Sequence, residues 1–218
     1  MSSTRWNPPQ DVLAAGESAR VGYRLGSIVQ AGESTQKSIP SSLHTLRDWV
    51  VARHPEVSSG GMRRSPEKPN TPGRRRDPHE EGIAIDFMTH NGDSLANWLV
   101  AHAQEIGIQY VLWNKYEWSA SRLGPRWENY TGAESHDDHV HMELSPEGIA
   151  RTGAAMAQIL NGIAGSSQPQ NTSPQTDITY TNESEGSEHA SQRSSKIIPF
   201  VAVGAAAFVT WWILKEKD

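Results

Sequence analysis

The chain has 218 residues and a formal charge of -5 at neutral pH. That length holds one domain of ordinary size plus appendages but not two full ones, and the acidic balance argues against a dedicated nucleic-acid binder. There is no cysteine, which excludes disulfides, thiolate zinc sites and a cysteine nucleophile, so any metal must be held by histidine and carboxylate.

Residues 1–38 show no sustained periodicity and read as a loosely packed lead-in with one helix around Val12 to Arg20. Their opening lacks the basic-then-apolar pattern of a secretory signal. From Ser42 onward, Leu43, Leu46, Trp49 and Val50 recur at helical spacing behind a Ser41/Ser42 cap and stop before Pro55. EVSSGG predicts a short strand that breaks into a loop carrying Arg63, Arg64, Lys68, Arg74, Arg75 and Arg76 among Pro66, Pro69, Pro72 and Gly73, a composition expected of a solvated, mobile segment. GIAIDFM is the next strand. A second amphipathic helix begins near Asp93 or Ser94, runs through Leu95, Trp98, Leu99 and Ile106, and ends at Gly107. IQYVLW follows as a buried strand, then a loop containing Trp118, Trp127 and Tyr130, then DHVHMEL as a strand. Ser145, Pro146 and Glu147 open a last helix by cap, proline and acidic first turn.

These elements predict an α+β domain over residues 39–165. Residues 166–195 have scarcely any large apolar side chains and are expected to be a disordered linker. The uncharged, mostly apolar run 197–214, with Lys196 and Lys215 at its ends, predicts a transmembrane helix over 196–214 and a short tail, 215–218. Its orientation is undecided, because Arg193 and Lys196 stand on one side and Lys215 and Lys217 on the other.

The chemistry gathers in two strands. If 82–88 is a strand, Ile83, Ile85 and Phe87 share one face while Gly82, Ala84 and Asp86 share the other, where small side chains leave room beside the carboxylate. In SHDDHVHMEL, His139 and His141 point the same way as Asp137, and Val140 and Met142 point to the core. His79, Asp86 and one of the two strand histidines would make a zinc site with one open position, the kind that does catalysis.

His79-x-x-Gly82-x-Ala84-x-Asp86 followed by a terminal His-x-His resembles the zinc peptidases of the LAS group, which takes in D-Ala-D-Ala carboxypeptidases, penicillin-insensitive murein endopeptidases and the hedgehog signalling fold. YVLWNKYEWS, WENYTG and HDDHVHMEL resemble the D-Ala-D-Ala carboxypeptidase-like domains of actinobacterial cell-wall proteins, so that the resemblance covers about residues 40–150. It implies a small antiparallel sheet flanked by helices, zinc held by His79, Asp86 and His141, and His139 as the proton-handling residue. His136 matches the extra histidine of the murein endopeptidase pattern, which favours an endopeptidase-like site over a strict dipeptidase. Asp77 stands where the family usually has serine. The SSGGMRRS stretch resembles the segment that supplies a substrate-binding arginine, which points to Arg63, or alternatively Arg64, as a clamp for a carboxylate or oxyanion. Trp113 and Trp118 are candidates to wall the cleft.

The expectation is therefore a membrane-tethered zinc peptidase, a hydrolase of peptidoglycan stem or cross-link peptides acting as carboxypeptidase or endopeptidase. Its partners would be those peptides and, through residues 197–214, the lipid bilayer, with no nucleic acid. The alternative is a catalytically idle zinc domain that serves as a membrane-anchored docking module. Without a secretory signal the domain meets cell wall only if it is translocated, released on lysis or delivered, as in a phage-like or injection-system assembly.

Overall fold

The computed structural model describes residues 5–34, 36–63, 71–121, 123–124 and 126–166. The expected linker from 167, the transmembrane helix and the tail lie outside them, as do Arg64 and Lys68. No helix among the described residues is long and apolar enough to cross a membrane.

The elements run α1 (Gln10–Ser18), α2 (Ser41–Arg53), β1 (Ser59–Gly61), α3 (Pro78–Glu81), β2 (Ala84–Met88), α4 (Asp93–Ala101), α5 (Ala103–Ile106), β3 (Ile108–Trp113), β4 (Tyr116–Ser119), β5 (Trp127–Asn129), β6 (His139–Leu144), α6 (Pro146–Ala150) and α7 (Gly153–Ser166). This is an α+β fold on one six-stranded sheet of order β1-β2-β6-β3-β4-β5, antiparallel throughout. Its cross-strand pairing sorts the side chains. Ile85 sits opposite Met142, Phe87 opposite Val140 and Val111 opposite both Met142 and Trp118, all on the apolar face. That face carries the core with Leu43, Leu46, Leu95, Leu99, Met156 and Leu160 of α2, α4 and α7. The alternate residues Asp86, His141, Glu143, Tyr110 and Glu117 share the other face.

Several elements depart from the sequence reading, each for a physical reason. The supposed cap of α2 is Pro40, and Ser41, already helical, accepts instead from the Gly153 amide at 3.0 Å. The second helix is two, interrupted at His102 and stopped by Gly107 in the left-handed region at φ 80°. Ser145 caps α6 as expected, through the Gly148 amide, but the last helix also breaks, at Arg151. Tyr116 and Trp118 belong to a hairpin, not a loop, because Asn114 and Lys115 turn the chain with positive φ and no glycine marks the turn.

The lead-in is the largest correction. Trp6 is 1 % exposed, stacks edge-on against Trp127 and donates its indole N–H to Asn97 Oδ1 at 3.0 Å. Val12, Ala19 and Val29 are buried as well. Residues 5–34 are thus part of the domain rather than an approach to it. Nor is the arginine loop simply solvated. Arg76 is 2 % exposed, donating to Ser27 Oγ and Ser34 O and pairing with Glu33, while Arg74 grips Glu80 with two bonds of 2.7 and 3.0 Å.

Candidate metal centre

The polar face of the sheet places Asp86 at its middle. Asp86 in β2 pairs with His141 in the neighbouring β6, and Met88 pairs with His139 one step along. Antiparallel register, not sequence distance, brings these side chains together. His79 arrives from outside the sheet, on the single turn of α3. Asp77 caps that turn, its side chain accepting from the Glu80 amide at 2.9 Å, with Pro78 in the first turn. Gly82 ends the turn at φ 72°, where a Cβ would come within 2.7 Å of the Ser38 carbonyl oxygen, so only glycine reverses the chain there.

His79, Asp86 and His141 each present a ligand atom, and those atoms lie within 4.8 Å of one another. His141 Nδ1 is 2.8 Å from Asp86 Oδ1, and His79 Nε2 is 3.2 Å from Asp86 Oδ2. Both ring nitrogens of buried His79 lack a hydrogen-bond partner. Buried polar atoms are rarely left so, and a cation between the three residues would satisfy one of them. The donor set fits a metal of the zinc class. Burial opposes ionisation of Asp86, yet the hydrogen bond from His141 and the neighbouring His79 hold its carboxyl far below the usual carboxylate range. Burial likewise disfavours a charged His141, but Asp86 and Glu143 outweigh it and raise its pKa to about 9.

Around this cluster stand two more histidines. His139 Nδ1 is 2.6 Å from Asp138 Oδ1. The hydrogen bond from His139 keeps Asp138 ionised to lower pH than usual, and an ionised carboxylate only accepts, so Nδ1 carries the proton. The other ring nitrogen of His139, Nε2, is buried, without a hydrogen-bond partner and 3.7 Å from Asp86 Oδ1. The His136 ring lies tilted against that of His139, 4.6 Å centroid to centroid. Its Nδ1 faces the Glu134 carbonyl at 3.1 Å and must donate, and burial lowers its pKa, which keeps it neutral with Nε2 open. Its backbone sits at φ 51°, held by a 2.7 Å bond from the Asn114 amide to the His136 carbonyl.

The other candidates fall elsewhere. Arg63 donates to Gln36 Oε1 and the Lys37 carbonyl, both at 2.7 Å, and these are its partners rather than the cluster. Trp113 and Trp118 lie on the apolar face, 3 % and 0 % exposed, and wall no cleft. Sequence reasoning missed Asp138, although an acid next to the strand histidine was visible, and Glu143, whose Oε1 is 3.4 Å from His141 Nε2. Glu143 follows His141 at a spacing of two on the same strand face, which was signal enough to find it. Beside Glu143, Tyr110 donates to Glu117, and burial together with Glu128 and Glu143 raises the Glu117 pKa, so an acidic flank borders the cluster.

Residues 35–141 match the model of the VldE C-terminal domain family. The similar stretch runs from just before α2 into β6 and ends on His141, so it takes in all three ligand candidates together with His136 and His139. No curated protein and no solved structure matches the chain.

Proposed function

We propose that this chain is a zinc-dependent peptidase of the LAS type, cutting peptidoglycan stem or cross-link peptides from a membrane tether supplied by residues 197–214. The observation that carries the reading is His139. Its Nδ1 is held by Asp138, and its unpartnered Nε2 is turned toward the ligand cluster from the same strand as His141. A histidine that only filled space would have no reason to keep an unpartnered buried nitrogen there. His79, Asp86 and His141 would hold the ion, which when bound supplies Lewis acidity that polarises a carbonyl and makes water a better nucleophile near neutral pH.

The remaining work falls to the chain's own groups. His139 Nε2 takes a proton from the attacking water, the Asp138 carboxylate stabilises the imidazolium, and the same nitrogen returns the proton to the leaving amine. Neutral His136, close against His139, offers Nε2 to accept an N–H of the peptide. The experiment pairs elemental analysis with digestion of muropeptides by the full-length chain. One zinc per chain and new peptide termini support the reading. Zinc-free protein, or zinc-loaded protein that leaves every peptidoglycan preparation intact, overturns it.

One observation favours a second reading, the idle docking module. The proposed oxyanion clamp, Arg63, is engaged with Gln36 and Lys37, so zinc without hydrolysis is the outcome that reading expects.

A further inference from the structure

One line of hydrogen bonds leaves His141 and a second leaves the turn that carries His79, and both end on residues 24–37. From His141, Nε2 faces Glu143 Oε1 at 3.4 Å, Glu143 Oε2 accepts from Gln109 Nε2 at 2.8 Å, and Gln109 closes on the backbone of Arg24. It takes both of Arg24's main-chain groups, accepting from the amide and donating to the carbonyl, each at 3.0 Å. Gln109 is 0 % exposed and is the extra residue where the β3–β6 register shifts between Ile108 and Tyr110. Bulges of this kind re-aim a side chain, and this one turns Gln109 to Glu143 on the polar face. From α3, which carries His79, Glu81 buries its carboxylate and accepts from the Ser27 amide at 2.8 Å, from Ser27 Oγ, and from Lys37 Nζ at 3.0 Å.

We propose that residues 24–37 form the outer shell of the metal centre, with Glu143, Gln109 and Glu81 as positioning residues that orient His141 and His79. This rests on the metal reading above. His141 Nδ1 faces Asp86, so Nδ1 is its metal-facing nitrogen and Nε2–H is the donor that Glu143 holds. A carboxylate on the far nitrogen of a ligand histidine fixes its tautomer and ring plane and raises its basicity. Gln109 in turn keeps Glu143 in place, and it does so by bonding the lead-in as a strand would. Arg24 thereby influences a ligand it never touches.

The test uses the full-length chain, stripped of metal and titrated with cobalt(II), with zinc affinity read by competition against a chelator. Glu143→Ala should weaken zinc binding about 10- to 100-fold and change the visible cobalt spectrum, while Glu143→Gln, which keeps an acceptor for Nε2–H, should restore most of the affinity. Arg24→Pro removes the amide that Gln109 accepts and should weaken binding in the same direction, with the near-ultraviolet circular dichroism of the folded chain retained. Wild-type affinity and spectrum in both Glu143→Ala and Arg24→Pro would overturn the outer shell alone. Wild-type chain that takes up no cobalt would overturn the metal reading and the proposal with it.

Discussion

His139 and Asp138 are adjacent in sequence, and their 2.6 Å contact through Nδ1 leaves Nε2 as the ring nitrogen that faces the ligand cluster. His139→Ala should leave zinc stoichiometry intact and lower peptide hydrolysis about 10²- to 10⁴-fold, the range typical of a lost proton-transfer group. Single-turnover assays on metal-loaded protein check this. His141 makes a second expectation. Its pKa is raised from 6.5 to about 9 in the metal-free chain. That stabilisation is fully present below about pH 6.5 and is lost as pH rises through about 9, so metal-free protein should melt at lower temperature at pH 9.5 than at pH 6. In the proposed reading a metal held by Nδ1 would take the place of its proton near pH 7, so zinc binding should release about one proton and weaken as pH falls. Calorimetry in buffers of different ionisation enthalpy measures the release; none at pH 7 would place His141 outside the ligand set.

The turn α3 shows what local sequence could and could not say. His79 and Asp86 were legible as a pair, but the chain between them is a capped turn and a glycine reversal, not one continuous strand. Asp77→Ala should cost about 1 kcal/mol and Asp77→Ser nearly nothing, since both acid and hydroxyl cap. Gly82→Ala should cost more than the roughly 1–2 kcal/mol of a left-handed residue, because its Cβ also meets the Ser38 carbonyl, and it should loosen His79 and lower zinc affinity along with the melting temperature. Strand β6 was readable because period two puts His139 and His141 on one face, opposite Met88 and Asp86, and Val140 and Met142 on the other, opposite Phe87 and Ile85. Which strand would lie beside it was not, because the Asp86–His141 register is a long-range pairing with no local signature. The arginine loop misled for the converse reason. Arg74 and Arg76 look like solvated charges until their partners, Glu80, Ser27 and Ser34, are brought to them by the fold.

Across the whole chain, the lead-in was the part the sequence concealed. Its anchors, Trp6, Val12 and Val29, are isolated apolar residues in mostly irregular backbone, and its bonds to Gln109, with one of those to Glu81, are made by main-chain groups that leave no pattern. A fragment beginning at residue 36 would therefore lack part of the core as well as one end of both ligand supports. Such a fragment should fail to fold cooperatively, whereas residues 1–166, all within the unit Met1–Asn171, should unfold in one transition. Trp6→Ala in the intact chain should alone cost about 3–5 kcal/mol, measurable by denaturant titration. The division of the sheet into two faces also sets what light can report. Trp6, Trp113, Trp118 and Trp127 belong to the apolar side, and Trp49 and Trp98 stack on each other in α2 and α4. Tyr110 and Tyr130 are the rings beside His141 and His136. Intrinsic tryptophan emission should then follow unfolding faithfully yet stay nearly blind to an ion arriving at the histidines, while tyrosine absorbance near 280 nm registers it.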